Sequence, residues 1–239
     1  MKDLKGITGV LYAFSEWVMR LSAVNLMWFL LSLPLFAVLL LPDISTAAGV
    51  VLFGIGLLLF VPLLFFPATA AAFSAARDWV MDEPQPSVVR AYLNYLKTDY
   101  MDNLKAGAVF AVLWLAWYSG FLTAGPADTI IGMVHLIAGA GLFVYTAVFL
   151  AVSAHYRMNL KERLMNAFFI SAGSPLLGLF LIAVSGLIVW VSITQLVVLL
   201  PFFTCSLSAF LSFAAFYRYT QRIEQKAKDR QNGEGGHAA

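Results

Sequence analysis

The sequence has little charge, and long stretches of it have none. Only 12% of the 239 residues are Asp, Glu, Lys or Arg, about half the share found in an average soluble domain. Residues 166–217 contain no charged side chain at all. Because 61% of the residues are hydrophobic, the composition excludes a water-soluble core and indicates a membrane protein.

Residues that carry chemistry are also scarce. The single cysteine, Cys205, cannot form an intrachain disulfide or a cysteine metal site. There is no Walker loop, GxGxxG, HExxH or nucleophile elbow, and no Cys or His pair at metal-ligand spacing. The bases are spread over four segments and not clustered with aromatic residues. We therefore expect no enzyme activity, no cofactor and no nucleic-acid partner.

The apolar runs predict an all-α, polytopic membrane helix bundle with about six transmembrane helices. A cytoplasmic, interfacial helix at residues 1–20 precedes the bundle of residues 21–217, and a basic tail at 218–239 is expected to be disordered past about Asp229. Interfacial amphipathic helices are expected on the cytoplasmic side. The predicted spans are about 21–41, 47–66 with a kinked continuation over 67–81, 106–124, 129–154, 168–192 and 196–217.

The bases predict the orientation of this bundle. All 15 Lys and Arg residues lie before the first span, between Arg77 and Lys105, between Arg157 and Arg163, or in the tail. The loops on the other side of the predicted bundle contain none. By the positive-inside rule, both termini are expected in the cytoplasm.

The charge-free run 44–76 is too long for one straight span, because 33 residues of helix reach roughly 50 Å against a hydrocarbon core of about 30 Å. Pro67 disfavours helical geometry at Phe66 and suits the first turn of a new helix. After Pro67, the spacing of Ala68, Ala72 and Ala76 creates a small-residue face that suits close helix packing. The alternative is that these alanines are plain helix formers.

Several segments, in their order and spacing, resemble a known family. They are NLMWFLLSLP (25–34), FPATAA (66–71), RAYLNYL (90–96), DNLKA (102–106) and LKERLMNAF (160–168). The sequence is similar in these segments to the YesL-like family of bacterial integral membrane proteins, a domain of unknown function. The resemblance implies a bundle in the bacterial plasma membrane, often encoded near sugar-uptake ABC systems, and it supplies no catalytic residues.

Residues 87–104 have the pattern of an amphipathic helix lying at the bilayer surface. Arg90 and Lys97 lie on its polar face, where they could dock a partner, and the alternative is a simple interfacial anchor. Asn159 and Glu162 predict a variant capping box at the start of a second amphipathic segment. The apolar face of the first segment comprises Val89, Tyr92, Leu93, Leu96, Tyr100 and Leu104.

The third span carries an aromatic stripe that includes Trp114, Trp117 and Tyr118. Aromatic rings stack on sugars, but in membranes they more often pack against other helices. His135 lies near the start of the fourth span and is an intramembrane ionisable residue, which makes it a functional hypothesis by default. The alternative is that it is a hydrogen-bonding packing residue.

Two functions remain open from the sequence. The first is a non-catalytic accessory or assembly component that contacts the lipid bilayer and a membrane partner, for which the resemblance suggests an ABC sugar importer. The alternative is an uncoupled or partner-driven small-solute transporter, with Trp114, Trp117, Tyr118 and His135 along its path. Because no Asp, Glu, Lys or Arg lies at membrane depth, the first is favoured.

Overall fold

The structure, a computed structural model, describes residues 7–40, 42–43, 45–85, 87–124 and 129–235. Within these ranges every regular element is helical, which confirms the all-α fold. In chain order the elements are α1 (Ile7–Leu40), α2 (Ala47–Phe60), a π-helical segment (Val61–Phe65), α3 (Phe66–Val80), α4 (Val88–Thr98), α5 (Tyr100–Ala124), α6 (Ile130–His155), α7 (Leu160–Gly173), α8 (Pro175–Thr194), α9 (Leu199–Phe202) and α10 (Thr204–Gly235).

Within the described part of the chain, five helical segments are long and apolar enough to cross a membrane. Large apolar side chains remain exposed along them, as in Leu40 and Ile130, each 82% exposed. Exposed apolar surface of this extent is expected where lipid surrounds the protein. The chain is therefore a membrane helix bundle, with candidate spans Thr8–Leu40, Ala47–Val80, Tyr100–Thr123, Ile130–His155 and Pro175–Thr194.

The segment predicted as the sixth span, 196–217, is not one continuous helix. The short helix α9 ends at Phe202, and α10 begins at Thr204. The apolar part of α10, which extends to Tyr217, rises only about 20 Å at 1.5 Å per residue, less than the roughly 30 Å of a hydrocarbon core. The count of six spans therefore stays a prediction.

A buried asparagine explains why α10 begins where it does. Asn25, in the middle of α1, is fully buried, and its Oδ1 accepts hydrogen bonds from the backbone N–H groups of Cys205 (2.7 Å) and Ser206 (2.9 Å). Its Nδ2 donates to the Leu200 carbonyl at 2.8 Å. The first N–H groups of a helix have no partner within it. The Asn25 side-chain oxygen, on another helix, accepts from two such N–H groups of α10. It thereby stabilises the break between α9 and α10.

α2 and α3 form one continuous helical segment across the π-helical turn. Phe66 has helical dihedrals (φ −68°, ψ −47°), and its N–H bonds to the Val61 carbonyl, five residues back. Phe66 therefore keeps the helical geometry that Pro67 was expected to disfavour, and the widened turn is the reason. It accommodates Pro62 and Pro67, which lack the N–H groups of a regular helix.

α3 lies at the centre of the bundle, in contact with α1, α4, α5, α6 and α10. Pro67, Ala68, Ala72 and Ala76 are all buried, with the three alanines at most 1% exposed. Small side chains let neighbouring helices approach closely. This helix therefore packs on several sides through its small residues.

The two ends of the chain differ from the predicted boundaries. α1 runs without a break through residue 20, where the interfacial helix was predicted to end. α10 continues to Gly235, although disorder was expected past about Asp229. Residues 218–230 contain few helix breakers, so a helix that begins inside the bundle can continue outward. Residue 41 and the terminal residues 1–6 and 236–239 lie outside the described part.

One end of the bundle, which we call the charged end, is where α3 and α6 finish and where α4, α5 and α7 begin. Arg77 Nη1 donates to the Ala154 carbonyl at 2.8 Å, which links the ends of α3 and α6. The predicted amphipathic helix 87–104 is divided here, because α4 ends at Thr98 and α5 begins at Tyr100. The candidate functional site lies at this end.

Candidate functional site

The charged end contains a polar cavity of about 300 Å³ between α3, α5, α6 and α7. α5 contributes Asp102 and Asn103 from its first turn, and α7 contributes Glu162 and Arg163 in the same way. Ser153 lines the cavity from the last turn of α6. A cavity with several convergent polar groups is the default candidate for a binding site.

Helix capping places the α7 residues. The Asn159 side chain accepts a hydrogen bond from the Glu162 N–H at 2.9 Å, and the Glu162 carboxylate accepts one from the Asn159 N–H at 3.3 Å. The predicted capping box is thus confirmed. Because it fixes the first turn of α7, the next residue, Arg163, is directed towards the bundle.

Arg163 is the most unusual residue of the cavity. It is only 5% exposed, and its one ionic contact is with Asp102, at 3.4 Å from Nη2 to Oδ2. Its Nε has no hydrogen-bond partner, and neither has the buried Ser153 Oγ. Asn103, also 5% exposed, makes no side-chain hydrogen bond within the described part of the chain. Two buried donors of the cavity, Arg163 Nε and Ser153 Oγ, therefore have no acceptor.

A second ion pair lies in the lining of the cavity. Arg157 Nη1 donates to Asp99 Oδ1 at 2.9 Å, and the Arg157 side chain is 79% exposed. Such an exposed pair contributes little to stability. Among residues 7–40, 42–43, 45–85, 87–124 and 129–235, no three His, Cys, Asp or Glu side chains are grouped to hold a metal ion.

A second buried charge, Asp78, lies near the cavity and is fully hydrogen-bonded. Its carboxylate accepts from Arg77 Nε at 2.9 Å, from Gln85 Nε2 at 2.5 Å and from the Tyr95 hydroxyl. The Asp78 side chain is only 4% exposed. We call these four residues the Asp78 cluster, and they tie α3 to α4.

The Asp78 cluster changes the acidity of Tyr95. Burial, together with the hydrogen bond to the Asp78 carboxylate, raises the pKa of Tyr95 to about 12. The hydroxyl is therefore protonated, and able to donate, at any physiological pH. The Arg77 guanidinium also lies over the Tyr95 ring, with Cζ 5.5 Å from its centroid.

The predicted docking residues, Arg90 and Lys97, lie away from the cavity. Both are on the exposed face of α4, beside Val89 and Leu93, which are 45% and 40% exposed. Tyr92, on the opposite face, is fully buried. The predicted apolar face is thus divided between the bundle and the surface.

The predicted solute-path residues form two groups. Trp114, Trp117 and Tyr118 line an apolar cavity of about 270 Å³, together with the π-helical segment. His135 is outside its lining and forms reciprocal hydrogen bonds with Trp117: His135 Nε2 donates to the Trp117 carbonyl at 2.8 Å, and Trp117 Nε1 donates to the His135 carbonyl at 2.9 Å. The two rings are also stacked.

Sequence reasoning did not identify Asp78, Tyr95 or Arg163 as site residues. One signal for Arg163 was present in the helical spacing, because it lies three residues after Leu160 and four before Ala167, on the stripe that packs inward. A base on such a stripe is placed in the interior. The sequence signal for Asp78 is weaker: it lies two residues after the last of the alanines that were predicted to form a small-residue face.

Comparison with known proteins finds similarity to proteins of unknown function. The family described as "Protein of unknown function, DUF624" matches residues 21–121. "Uncharacterized protein YesL" of Bacillus subtilis (strain 168) is 26% identical over 231 residues, which cover 95% of this chain and 99% of that protein. "Uncharacterized protein YteU" of the same organism is 24% identical over 223 residues, covering 92% and 89%. No solved structure matches the chain significantly. The resemblance predicted from the sequence is confirmed: the chain is similar to the YesL-like proteins of unknown function.

Proposed function

We propose that this chain is a non-catalytic accessory or assembly component of a bacterial plasma membrane, and that α4 is its docking surface. The observation that carries the proposal is the exposed face of α4. It presents two bases, Arg90 and Lys97, beside two apolar residues, Val89 and Leu93. No acidic side chain within the described residues forms an ion pair with either base. Mixed apolar and basic surfaces suit a partner with an acidic rim.

The opposite face of α4 holds the helix rigidly in place. The Tyr92 hydroxyl donates to the Ala68 carbonyl of α3 at 3.0 Å, and Tyr95 donates to Asp78. Burial also raises the pKa of Tyr92, so both hydroxyls are donors at physiological pH. A surface fixed in advance loses less conformational entropy when a partner binds.

The distribution of bases supports a cytoplasmic position for this surface. Along the sequence, every Lys and Arg lies before the first predicted span, between Arg77 and Lys105, between Arg157 and Arg163, or in the tail. The positive-inside rule places such segments in the cytoplasm. The proposed partner class is a subunit of a carbohydrate ABC importer, for which the resemblance to YesL-like proteins is the only support.

The transporter alternative receives less support. The cavity beside Trp114, Trp117 and Tyr118 has no charged lining residue and is almost entirely apolar, which does not suit a hydrophilic solute. His135 already uses Nε2 in its bond to the Trp117 carbonyl. Both features are typical of packing.

Site-specific photo-crosslinking in native membranes tests the proposal. A photo-reactive amino acid at Leu93 is expected to form an adduct with an importer subunit, identified by mass spectrometry. The matched control is Met165, an equally exposed apolar residue on α7, 48% against 40% exposed. Combining the label with Arg90→Glu and Lys97→Glu should remove the adduct, whereas Lys161→Glu should retain it.

Two results would contradict the proposal. One is an absence of any adduct at Leu93 under conditions in which the importer is present. The other is solute uptake by the purified protein alone in liposomes, abolished by Trp114→Ala or His135→Ala. The orientation is tested separately with a cysteine at Asp43, which a membrane-impermeant thiol reagent should label on intact cells.

A further inference from the structure

The polar cavity at the charged end contains a buried cation that lacks hydrogen bonds. The Arg163 guanidinium has five N–H donors, yet within the described residues it makes only the 3.4 Å contact with Asp102. Its side chain is 7% exposed. A buried charge is unfavourable unless hydrogen bonds compensate for the loss of water. An acceptor that enters the cavity would supply this compensation.

The other free donors point to the same kind of acceptor. Ser153 Oγ is buried without a partner, and Asn103 lines the cavity with its amide unpaired in the described structure. A planar guanidinium binds carboxylate or phosphate through two parallel hydrogen bonds. One Arg with two neutral donors suits a single oxyanion.

The acids of the cavity limit the charge that a ligand can carry. Asp99, Asp102 and Glu162 line it together with only two bases, Arg157 and Arg163, so its formal charge is negative. A ligand with two negative charges would be repelled. A cationic group on the ligand would be attracted, and the Asp102 side chain, 59% exposed, is accessible to it. The complementary ligand is thus zwitterionic.

The position of the cavity indicates where such a ligand is found. It lies where the candidate spans ending at Val80 and His155 leave the membrane and the one beginning at Tyr100 enters it. The cavity therefore lies at one end of these candidate spans, where lipid headgroups are expected. Headgroups that combine a phosphodiester with an ammonium group have the required charges.

We propose that this cavity binds a phosphoethanolamine group, with its phosphodiester oxygens on Arg163, Asn103 and Ser153 and its ammonium group facing Asp102 and Glu162. The group can be supplied by a phospholipid of the membrane or by a soluble ester. This site is separate from the docking surface on α4 and does not depend on it.

Thermal unfolding in detergent, followed by tryptophan fluorescence, tests the site. Dioleoylphosphatidylethanolamine in mixed micelles is expected to raise the Tm of the parent protein by roughly 5 °C at saturation. Dioleoylphosphatidylglycerol, which has the phosphodiester but no ammonium group, should raise it much less. Soluble glycerophosphoethanolamine distinguishes the sources: an equal rise assigns a soluble ester, and a rise with the lipid alone assigns the membrane.

Variants separate binding from a structural role of Arg163. Arg163→Met should raise the Tm without ligand, because it removes an under-paired buried charge, and should abolish the shift caused by the lipid. Lys161→Met, an exposed base in the same turn of α7, should leave the shift unchanged. Ser153→Ala removes one neutral donor without altering charge and should reduce the shift.

Three results would overturn the proposal. The first is an absence of any shift with phosphatidylethanolamine or with the soluble ester. The second is an equal shift with phosphatidylglycerol, which would show that the ammonium group is not recognised. The third is a full shift in Arg163→Met, which would place the lipid elsewhere on the protein.

Discussion

Two buried charges lie at the charged end of this bundle, and the fold surrounds them differently. Asp78 accepts hydrogen bonds from three side chains, those of Arg77, Gln85 and Tyr95. The Arg163 side chain makes no hydrogen bond within the described structure and has one ionic contact at 3.4 Å. It borders a cavity of about 300 Å³.

The difference separates a structural charge from a candidate binding charge. A buried ion whose hydrogen-bonding capacity is filled holds its neighbours in one arrangement. A buried ion with free donors is unfavourable in the empty protein and favours a ligand. Substitutions at the two positions should therefore change stability in opposite directions.

The largest expected effect is at Asp78. Asp78→Leu leaves the donors of Gln85 and Tyr95 without an acceptor and should destabilise the protein by about 3 to 5 kcal/mol, a fall in Tm of roughly 10 °C. Thermal unfolding of the purified protein measures this. The control is Glu83→Leu, an exposed acid nearby, which should change the Tm little. A small change in Tm in Asp78→Leu would show that Asp78 is not a structural charge.

A change in stability of the opposite sign is expected on substitution of Arg163. Arg163→Met replaces an under-paired buried charge with an apolar side chain of similar length, and should stabilise the ligand-free protein by about 1 to 3 kcal/mol. Asp102, its partner, is largely exposed and can be hydrated. A lower Tm in ligand-free detergent would show that Arg163 is a structural charge like Asp78.

A substitution on α3 tests whether the helix that carries Asp78 is held by close packing. Ala72→Leu inserts a large side chain at a position only 1% exposed and should destabilise by about 1 to 3 kcal/mol. Ala116→Leu, at an exposed position of α5, is the matched control and should be neutral. If Ala72→Leu accumulates and melts like the parent, close packing around α3 is not required.

The smallest effect is expected at the Tyr95 hydroxyl. Tyr95→Phe keeps the ring beside Arg77 but removes one hydrogen bond to Asp78, at a loss of about 1 kcal/mol. Because the pKa of Tyr95 is raised from about 10 to about 12, its stabilising contribution is complete below pH 10 and is lost as the pH rises towards 12.

The measurement is the difference in Tm between parent and Tyr95→Phe across that pH range. The difference should shrink above about pH 10, since the tyrosine of the unfolded parent then ionises while the folded Tyr95 stays protonated up to about pH 12. A constant difference up to pH 12 would show that the Tyr95 hydroxyl does not donate to Asp78. Other tyrosines titrate in both proteins, so comparing the two removes their contribution.

Much of the fold could be predicted because it follows from local composition. The long charge-free runs required helices that satisfy their own backbone in lipid, and the capping box of Asn159 and Glu162 was visible as a short motif. Pro67 was expected to disfavour helical geometry at Phe66, but a π-helical turn accommodates the proline within one continuous helical segment. Asn25 is a polar residue within a predicted span, but its partners are about 180 residues away in the chain.

The candidate site could not be predicted to the same degree. Asp99, Asp102, Ser153 and Arg163 come from three separate parts of the chain, and nothing in their spacing indicates that they line one cavity. The aromatic stripe of Trp114, Trp117 and Tyr118 was visible, but the direction in which it faces was not. Because α5 packs against α2 and α6, the aromatic stripe lies in an apolar environment.

The sequence by itself determined that this protein is a helical membrane bundle, because hydrophobic length and charge position act locally along the chain. It also carried the resemblance to the YesL-like family, which the matches confirm. Only the tertiary structure decided which charges are satisfied, since hydrogen bonds such as that from Arg77 to the Ala154 carbonyl join distant residues. Whether a buried charge such as Arg163 is structural or open to a ligand depends on those distant partners.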